Sequence, residues 1–573
     1  MFHSLASPLY SVPDNLTIPQ FLFDKNPLGF LRGAQSVDVS TTQPCMIDEI
    51  SGRQITFSQA KSRSDALARA LKSKYNLSEN AIVSVFSPNH MDYPICIWAT
   101  HRLGAIVSPM SASLTESELE YHLGLVKCTI MFVHHDCLPV ASKAIRAAGQ
   151  DGIRLVIIGN SDSGLVTVDQ LAREGSSFPT YPERSMRAGE AREKVAFLSF
   201  SSGTTGMPKA VMISHFNVIC NILQIATFHR TYDPSVPKEL RRFKPGEVCT
   251  GVLPLYHIYG LVLNLHFVLF ARMTLVVTER FDFERMLKGI EKYRISYLWI
   301  VPPQAILFCK HPAVQKANLS SVKYCLIAGA PATGDLFRQL LQVFPEIHLG
   351  QGYGLTESSP VISMFPLTQK VGTLGSAGQL VSGTTIKIVT SNGTLAKFDQ
   401  EGELYVKGGQ ITLGYYQNAK ATEETFIDGW LRTGDIAIMK PNGDIFIIDR
   451  LKELIKVKGL QVAPAELEGH LLDHPYIADV AVIGVPDEYS GELPRAYVVL
   501  HDEQAKEAKV SRQAEEEIRV HIFKHVADAK AKYKWLQGGI IFLDVIPKSP
   551  SGKILRRVLR GNAKGSGNVG AKL

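Results

Sequence analysis

The segment Phe200-Ser201-Ser202-Gly203-Thr204-Thr205-Gly206-Met207-Pro208-Lys209 is the first place where residue types and spacing suggest chemistry. It follows the apolar run Val195–Phe200, so it reads as a loop after a strand. Gly203 and Gly206 let the backbone approach a ligand closely. The hydroxyls of Ser201, Ser202, Thr204 and Thr205, with exposed backbone N–H groups, can donate to phosphate oxygens, and Lys209 adds positive charge. The order G-x-x-G-x-x-K lacks the G-K-[ST] ending of a Walker A loop. On residue types alone, a phosphate cradle and an ordinary solvated loop both remain open.

The elements that must hold this loop are legible from periodicity. Helical spacing over Ser58–Tyr75, with Leu67, Ala70, Leu71 and Tyr75 on one face, alternates with short apolar runs at Ala81–Phe86, Ala105–Ser108, Thr129–Val133 and Leu155–Ile158. Pro94–His101 reads as a helix with proline in its first turn. Thr115 with Glu118 marks a capping box. Thr274–Val277, Tyr297–Val301, Tyr324–Ile327 and Ile347–Leu349 repeat the strand pattern. The alternation predicts an α/β fold with two doubly wound parallel sheets. From about Gly372, turn pairs such as Asn392-Gly393 and Asn442-Gly443 separate alternating runs, predicting an antiparallel region, a small β barrel. Beyond residue 450 a compact α+β pattern follows. The boundaries are therefore a large N-terminal domain, 1–449, and a small C-terminal domain, 450–573.

Composition agrees with a globular protein. The 573 residues are 45% hydrophobic and 20% charged, with net charge +7. That balance allows an anionic ligand and does not call for nucleic acid. The apolar stretch Gly251–Val277 carries Pro254, His257, Asn264, His266 and Arg272, which argues against a membrane span. Met1–Tyr10 lacks the charged and apolar regions of a secretory signal. The eight cysteines show no CxxC spacing, as expected of free thiols in a reducing compartment. His134, His135 and Cys137 could bind a metal, but a polar strand end after Ile130–Val133 is the favoured reading.

Five ordered motifs resemble those of the adenylate-forming enzymes, a family of acyl-CoA synthetases, firefly luciferase and nonribosomal-peptide adenylation domains. They are Ser199–Val211, Tyr353-Gly354-Leu355-Thr356-Glu357, Leu431-Arg432-Thr433-Gly434-Asp435, Asp449–Glu453 with Lys458–Pro464, and Pro550-Ser551-Gly552-Lys553. Gln351-Gly352-Tyr353-Gly354, Leu253-Pro254-Leu255-Tyr256-His257 and Gln461–Glu466 are similar to the 4-coumarate–CoA ligase and luciferase branch. The resemblance implies a large domain of two α/β subdomains plus a β barrel, and a mobile C-terminal domain. It implies ATP, Mg²⁺ and CoA. A carboxylate attacks the α-phosphorus of ATP, giving acyl-AMP and pyrophosphate; a thiol then takes the acyl group and releases AMP.

Roles carried over from the motifs follow. Thr204, Thr205 and Lys209 would hold the β- and γ-phosphates, within the loop Ser201–Gly206. Glu357 would bind Mg²⁺, and Thr356 would donate to the α-phosphate. Tyr353 would lie beside adenine, over a floor of Gly329, Ala330 and Gly352, with Gln351 adjoining. Asp435 would hold the ribose hydroxyls, assisted by Arg450. Lys553 would reach the α-phosphate and the substrate carboxylate. Lys452 matches the hinge about which the small domain turns, bringing Lys456 and Gln461 to the thioester step, with Gly459 freeing the loop. Glu466 would start a helix. His257 would gate the acyl pocket, formed by Tyr259, Leu263, Gln304, Ile306, Gly329, Ala330, Gly354, Pro360 and Val361. Those residues suit an aromatic or medium-length acid, and no aspartate follows His257 to bind an α-ammonium group. A luciferase-like oxygenase, a fatty-acyl-CoA synthetase, a non-catalytic nucleotide binder and a kinase are the competing readings. The final Ala571-Lys572-Leu573, on a Gly-rich tail, is a variant of the peroxisomal address and predicts recognition by the import receptor.

Overall fold

A computed structural model describes residues 1–25, 27–31, 43–160, 162–201, 207–451, 453–457, 460–549 and 552–565. The expected loop residues Ser202, Gly203, Thr204, Thr205 and Gly206, the hinge Lys452, the segment Lys458-Gly459, Pro550-Ser551 and the terminal tripeptide lie outside them.

Two sheets dominate the large unit. The first has six strands in the spatial order Arg154–Ile158, Ile130–His134, Ile82–Phe86, Ile106–Met110, Val195–Ser201 and Lys209–Ser214. All pair in parallel except the last two, which form an antiparallel pair. The second has nine strands. Its parallel centre runs His348–Gly354, Tyr324–Ile327, Tyr297–Ile300, Val248–Gly251, Thr274–Val277 and Pro44–Asp48. Short antiparallel strands close its edges. These central strands are apolar on both faces because helices cover both, as periodicity predicted.

Local chemistry explains where the helices begin. Thr115 Oγ1 accepts from the Glu118 N–H, and the Glu118 carboxylate accepts from the Thr115 N–H at 2.9 Å. Thr56 with Gln59 starts helix Phe57–Tyr75 in the same way, and Asn76 ends it in the left-handed conformation. Ser214 with Asn217 starts His215–Phe228.

The antiparallel region was expected to be a small barrel. It is a six-stranded sheet, Phe2–His3, Thr385–Val389, Glu401–Lys407, Trp430–Met439 and Phe426–Ile427 in order, with Ile445–Arg450 on Trp430–Met439. Its edge Ile445–Arg450 continues onto the 377–379 segment, the Ile445 N–H donating to the Gly378 carbonyl and the Ala377 N–H to the Ile445 carbonyl, both at 2.8 Å, and Ser4 beside the opposite edge donates to the Leu380 carbonyl at 2.7 Å, so the wall curls round as the expected barrel requires. The N-terminal strand supplies one edge, a pairing too short to show in sequence periodicity.

Beyond Arg450 a five-stranded sheet is packed by helices Pro464–Leu472 and Arg512–Ala529, and its apolar core draws only on residues 455–559. Arg556 ties this unit together. It donates to both oxygens of buried Glu468 at 2.7 and 2.8 Å and to Glu453 at 2.8 Å. Glu466 sits in the first turn of its helix and pairs with Lys530 and Lys534, a structural part as expected. Among the described residues no helix is long and apolar enough to cross a membrane.

Several histidines are folded in as neutral groups. Burial is the first cause lowering His101 to about 3, and His122, His134, His266 and His474 to about 4. An unfolded imidazole titrates near 6.5. Below that pH the unfolded chain takes up protons that these sites refuse, so their contribution to stability is complete above 6.5 and lost as pH falls toward 4. The thermal midpoint should therefore drop steeply between pH 6.5 and 4.5 by scanning calorimetry. A flat profile would show that the imidazoles accept protons in the fold.

Candidate active site

The motif residues carried by the two parallel sheets lie at, just beyond or beside the C-terminal ends of parallel strands, where such sheets bind ligands, whereas Asp435 lies within the antiparallel strand Trp430–Met439. Ser201 and Lys209 are register partners on either side of the 202–206 loop. Tyr324–Ile327 leads to Gly329 and Ala330, and Gly329 is left-handed at φ +88°. His348–Gly354 leads to the single helical turn Thr356–Ser358, which presents Glu357. Thr356 itself is half-buried in that turn.

The two sheets meet through a residue the sequence did not single out. Asn89, buried at the end of the strand Ile82–Phe86, donates to the carbonyls of Gly251 and Leu253 at 2.9 Å each. Its oxygen accepts from the Leu255 N–H at 2.8 Å. One amide therefore fastens the 251–257 segment, including His257, to the first sheet. The signal was a lone Asn between prolines and histidines, which carries no recognisable spacing.

Around the cleft the charged groups interlock. The Tyr353 hydroxyl donates to Asp435 Oδ2 at 2.5 Å, and Arg450 Nε lies 3.4 Å from Asp435 Oδ1. Asp435 and Arg450 face each other across adjacent strands. Burial raises the Asp435 carboxyl against the pull of Arg450. Lys553, contributed by the small unit, is a charge neighbour of Arg450, Glu453, Asp435 and Glu357. Burial first, then Arg450, lowers its ammonium to about 8. His257 is lowered to about 4 by burial and by Lys553. Five of the expected residues thus come together with a cation from the other domain.

Lys553 is placed by its loop. Gly552 has φ +81°, and a Cβ there would lie 3.2 Å from Pro303 Cδ and 3.3 Å from Val301 Cβ. The loop rests directly on the start of helix Pro302–Lys310. A cavity of about 660 Å³ opens beside it, lined in part by Asn89, Tyr256, Gln304, Ser549 and Gly552.

Glu357 fits a hard divalent cation. Its Oε1 accepts from Ser201 Oγ and from the Tyr415 hydroxyl, both at 2.9 Å, and among the described residues no hydrogen bond reaches Oε2. An oriented carboxylate with one oxygen uncommitted is the ligand type such cations take.

Other expected residues fall differently. Gln351 does not reach the cleft: its amide bonds the Ala332 N–H at 2.9 Å and carbonyl at 3.1 Å, bracing the loop that carries Gly329 and Ala330. Gly352 lies against Ser363, where a Cβ would be 3.3 Å from the carbonyl oxygen. Gly354 lies against Pro360, whose carbonyl oxygen would be 1.9 Å from a Cβ, while the residue itself remains exposed. Ile306 packs with Ala305 and Phe308 in a second apolar cluster, apart from Tyr259, Leu263 and Val361, which share the main one. Pro360 is buried next to Val361. Gln304 accepts from the Val301 N–H at 3.2 Å, and the Tyr259 hydroxyl donates to the Leu326 carbonyl at 3.2 Å. Lys456 and Gln461 are exposed register partners on a hairpin of the small unit, not among the groups gathered around Lys553.

His134, His135 and Asp136 bring possible ligand atoms within 4.8 Å of one another. However, His134 Nδ1 accepts from the Asp136 N–H at 3.3 Å, and the Asp136 carboxylate pairs with Arg280. These contacts fit the polar strand end expected there. All eight cysteines are free, and all but Cys309 are buried.

The fold and this cleft define a nucleotide-activating enzyme, and comparison gives its family. Residues 34–416 match the AMP-binding enzyme model, and residues 466–553 match the AMP-binding enzyme C-terminal domain. The chain belongs to the AMP-binding enzyme family. It is 34% identical to the acyl-CoA ligase frbB of Dothideomycetidae sp. (strain 11243), over 91% of this chain and 93% of that relative. It is 32% identical to 4-coumarate-CoA ligase 1 of Narcissus pseudonarcissus, over 98% of this chain and 96% of that relative. In fold it is similar to ATP-bound MatB from Rhodopseudomonas palustris, at TM-score 0.80 and 23% identity, over 96% of this chain and 99% of that one. The anthranilate CoA ligase AuaEII in complex with anthranoyl-AMP also gives 0.80, at 22% identity over 96% and 98%.

Replacing Asn89 by Ala would remove three hydrogen bonds and leave two buried backbone groups, the Leu253 carbonyl and the Leu255 N–H, without a partner, since the Gly251 carbonyl also accepts from the Thr278 N–H at 3.3 Å, at roughly 1–3 kcal/mol for each group left unsatisfied. Urea unfolding should show a loss of at least about 2 kcal/mol. A loss below about 0.5 kcal/mol, the scale of a neutral surface change, would mean that water replaces the amide.

Proposed function

We propose that this chain is an ATP-dependent, AMP-forming acid–CoA ligase acting on an aromatic or medium-length carboxylic acid. The observation that carries the reading is Lys553, delivered by the small unit into the cleft that holds Asp435, Arg450, Glu357 and His257.

The chemistry needs little proton transfer. An ionised carboxylate is already a nucleophile, and the difficulty is bringing it to an anionic phosphate. Charge neutralisation and positioning must supply the rate. In this reading Lys553 holds the α-phosphate and the acid's carboxylate together, and Thr356 donates to the α-phosphate. Lys209, with Thr204 and Thr205 of the preceding loop, holds the departing pyrophosphate. Asp435 accepts from the ribose hydroxyls with Arg450 beside it, and Tyr353 lies along the base. Glu357 would hold Mg²⁺, which when bound neutralises phosphate oxygens further. Pyrophosphate leaves, and acyl-AMP remains.

A CoA thiol then attacks the acyl carbon, forming the thioester and expelling AMP. Lys456 and Gln461 are assigned to this step. Their exposed hairpin must reach the cleft by rotation of the small unit about Lys452, with the domain break at 449/450. His257 stands between the cleft and the acyl pocket. Buried Tyr259, Leu263 and Val361 support an acid with an apolar body. No observation on the site favours an oxygenase over a ligase.

Incubation of purified protein with ATP, Mg²⁺, CoA and a mixed pool of acids, read by mass spectrometry, should give AMP and one dominant acyl-CoA. ADP in place of AMP would overturn the reading. Lys553→Ala should lower acyl-AMP formation by at least about a hundred-fold, the scale of losing one transition-state contact, while thioester formation from supplied acyl-AMP changes little. Lys456→Ala should show the reverse bias; equal loss of both steps in either variant would contradict the assignment of the two steps to different residues of the small unit. Peroxisomal import through Ala571-Lys572-Leu573 is part of the proposal. A fluorescent fusion should become diffuse when that tripeptide is deleted, and unchanged punctate signal would refute it.

A further inference from the structure

Tyr415 lies in none of the motifs that led to the site. Its backbone is stitched to the phosphate-loop hairpin. Val211 and Tyr415 form an antiparallel bridge. The Met212 N–H donates to the Gly414 carbonyl at 2.9 Å, and the Tyr416 N–H to the Ala210 carbonyl at 2.8 Å. The same segment holds the turn carrying Glu357, since the Thr412 N–H donates to the Glu357 carbonyl at 3.1 Å. Segment 412–416 is therefore a brace between the strand leading from Lys209 and the turn of Glu357.

The Tyr415 side chain continues that brace into the cleft. It is 7% exposed. Its hydroxyl donates to Glu357 Oε1 at 2.9 Å, beside the donation from Ser201 Oγ at the same distance. The Lys209 ammonium lies 4.9 Å from the centre of its ring. Burial, then Glu357, pushes the phenol well above its ordinary range, so it remains a donor at any working pH.

We propose that Tyr415 is a positioning residue that fixes the cation-holding carboxylate and the phosphate-holding ammonium relative to each other. Its hydroxyl and Ser201 together claim Oε1 of Glu357, which turns Oε2 outward for a divalent cation. Its ring face restrains Lys209, the group assigned to the polyphosphate. One rigid side chain with two rotatable bonds thereby sets the spacing between cation and phosphate contacts. A phenylalanine keeps the ring and loses the donor, and a leucine loses both, so the two functions separate. The inference rests on the ATP-dependent reading above.

The test is direct binding with no acid present, so that no adenylation occurs. Mn²⁺ is titrated into full-length protein with ATP and followed by electron paramagnetic resonance, and metal-free ATP binding is measured by calorimetry. Tyr415→Phe should weaken Mn²⁺ about ten-fold, the low end for loss of a partner that orients a metal ligand, with metal-free ATP affinity changed less than two-fold. Tyr415→Leu should weaken Mn²⁺ similarly and metal-free ATP about five-fold as well. Ser201→Ala, which removes the other donor to Oε1, should weaken Mn²⁺ in the same direction. It tests the carboxylate's orientation even if a Tyr415 variant fails to fold. If wild-type protein binds Mn²⁺ with ATP and both Tyr415→Phe and Ser201→Ala bind it equally well, this inference falls alone. Equal losses of Mn²⁺ and metal-free ATP in Tyr415→Phe would also overturn it, by marking a merely structural role. Wild-type protein that binds neither would overturn the functional reading together with it.

Discussion

Bringing two anions together inside a partly dehydrated cleft is the constraint around which this molecule is arranged. Water would separate a carboxylate from a polyphosphate, and a fixed array of cations and donors must replace it. The cations come from different places: Lys209 from the phosphate-loop hairpin, Arg450 from the end of the antiparallel sheet, and Lys553 from the small unit. Each is costly to bury alone, and the lowered Lys553 ammonium records that cost. Asp435, Glu357 and Glu453 offset it. The site is thus a balanced cluster before any substrate arrives, and a nucleotide entering it exchanges partners rather than meeting naked charge.

The scaffold answers the same constraint. Parallel strands aim their loops to one edge, so two sheets joined at Asn89 present motif residues from distant parts of the chain to one cleft. Those loops can be short because the strands beneath them are apolar and rigid. Substituted glycines would fail for different reasons. Gly354 touches the Pro360 backbone, whereas Gly552 combines a left-handed backbone with contact against Val301 and Pro303. Only the second lets a loop of the small unit come close enough to deliver a side chain.

Much of this was legible in the sequence because strand and helix periods, capping pairs such as Thr115–Glu118 and ordered motifs are local signals. The family and the positions of Asp435, Arg450, Glu357 and Lys553 followed from them. What escaped depends on side-chain direction. Gln351 stands in a motif yet turns to Ala332, and Ile306 sits one helix face away from the pocket it was assigned to. Asn89 acts across 162 to 166 residues and Tyr415 reaches Glu357 across 58, and neither has a spacing to betray it. A Gly-Tyr pair in a turn-rich stretch looks like any other edge of a strand. The antiparallel wall curls round through isolated bonds at 377–380, which alternation does not reveal, because it predicts only which face of a strand is buried.

The loop that carries Lys553 has a second occupation. Its neighbours Ser549 and Gly552 are part of the wall of the 660 Å³ cavity beside the cleft. Any displacement that withdraws the lysine also takes away that wall, and any return restores both. One short loop thus serves two neighbouring spaces, and any substitution that shifts it alters the charge of one and the shape of the other together.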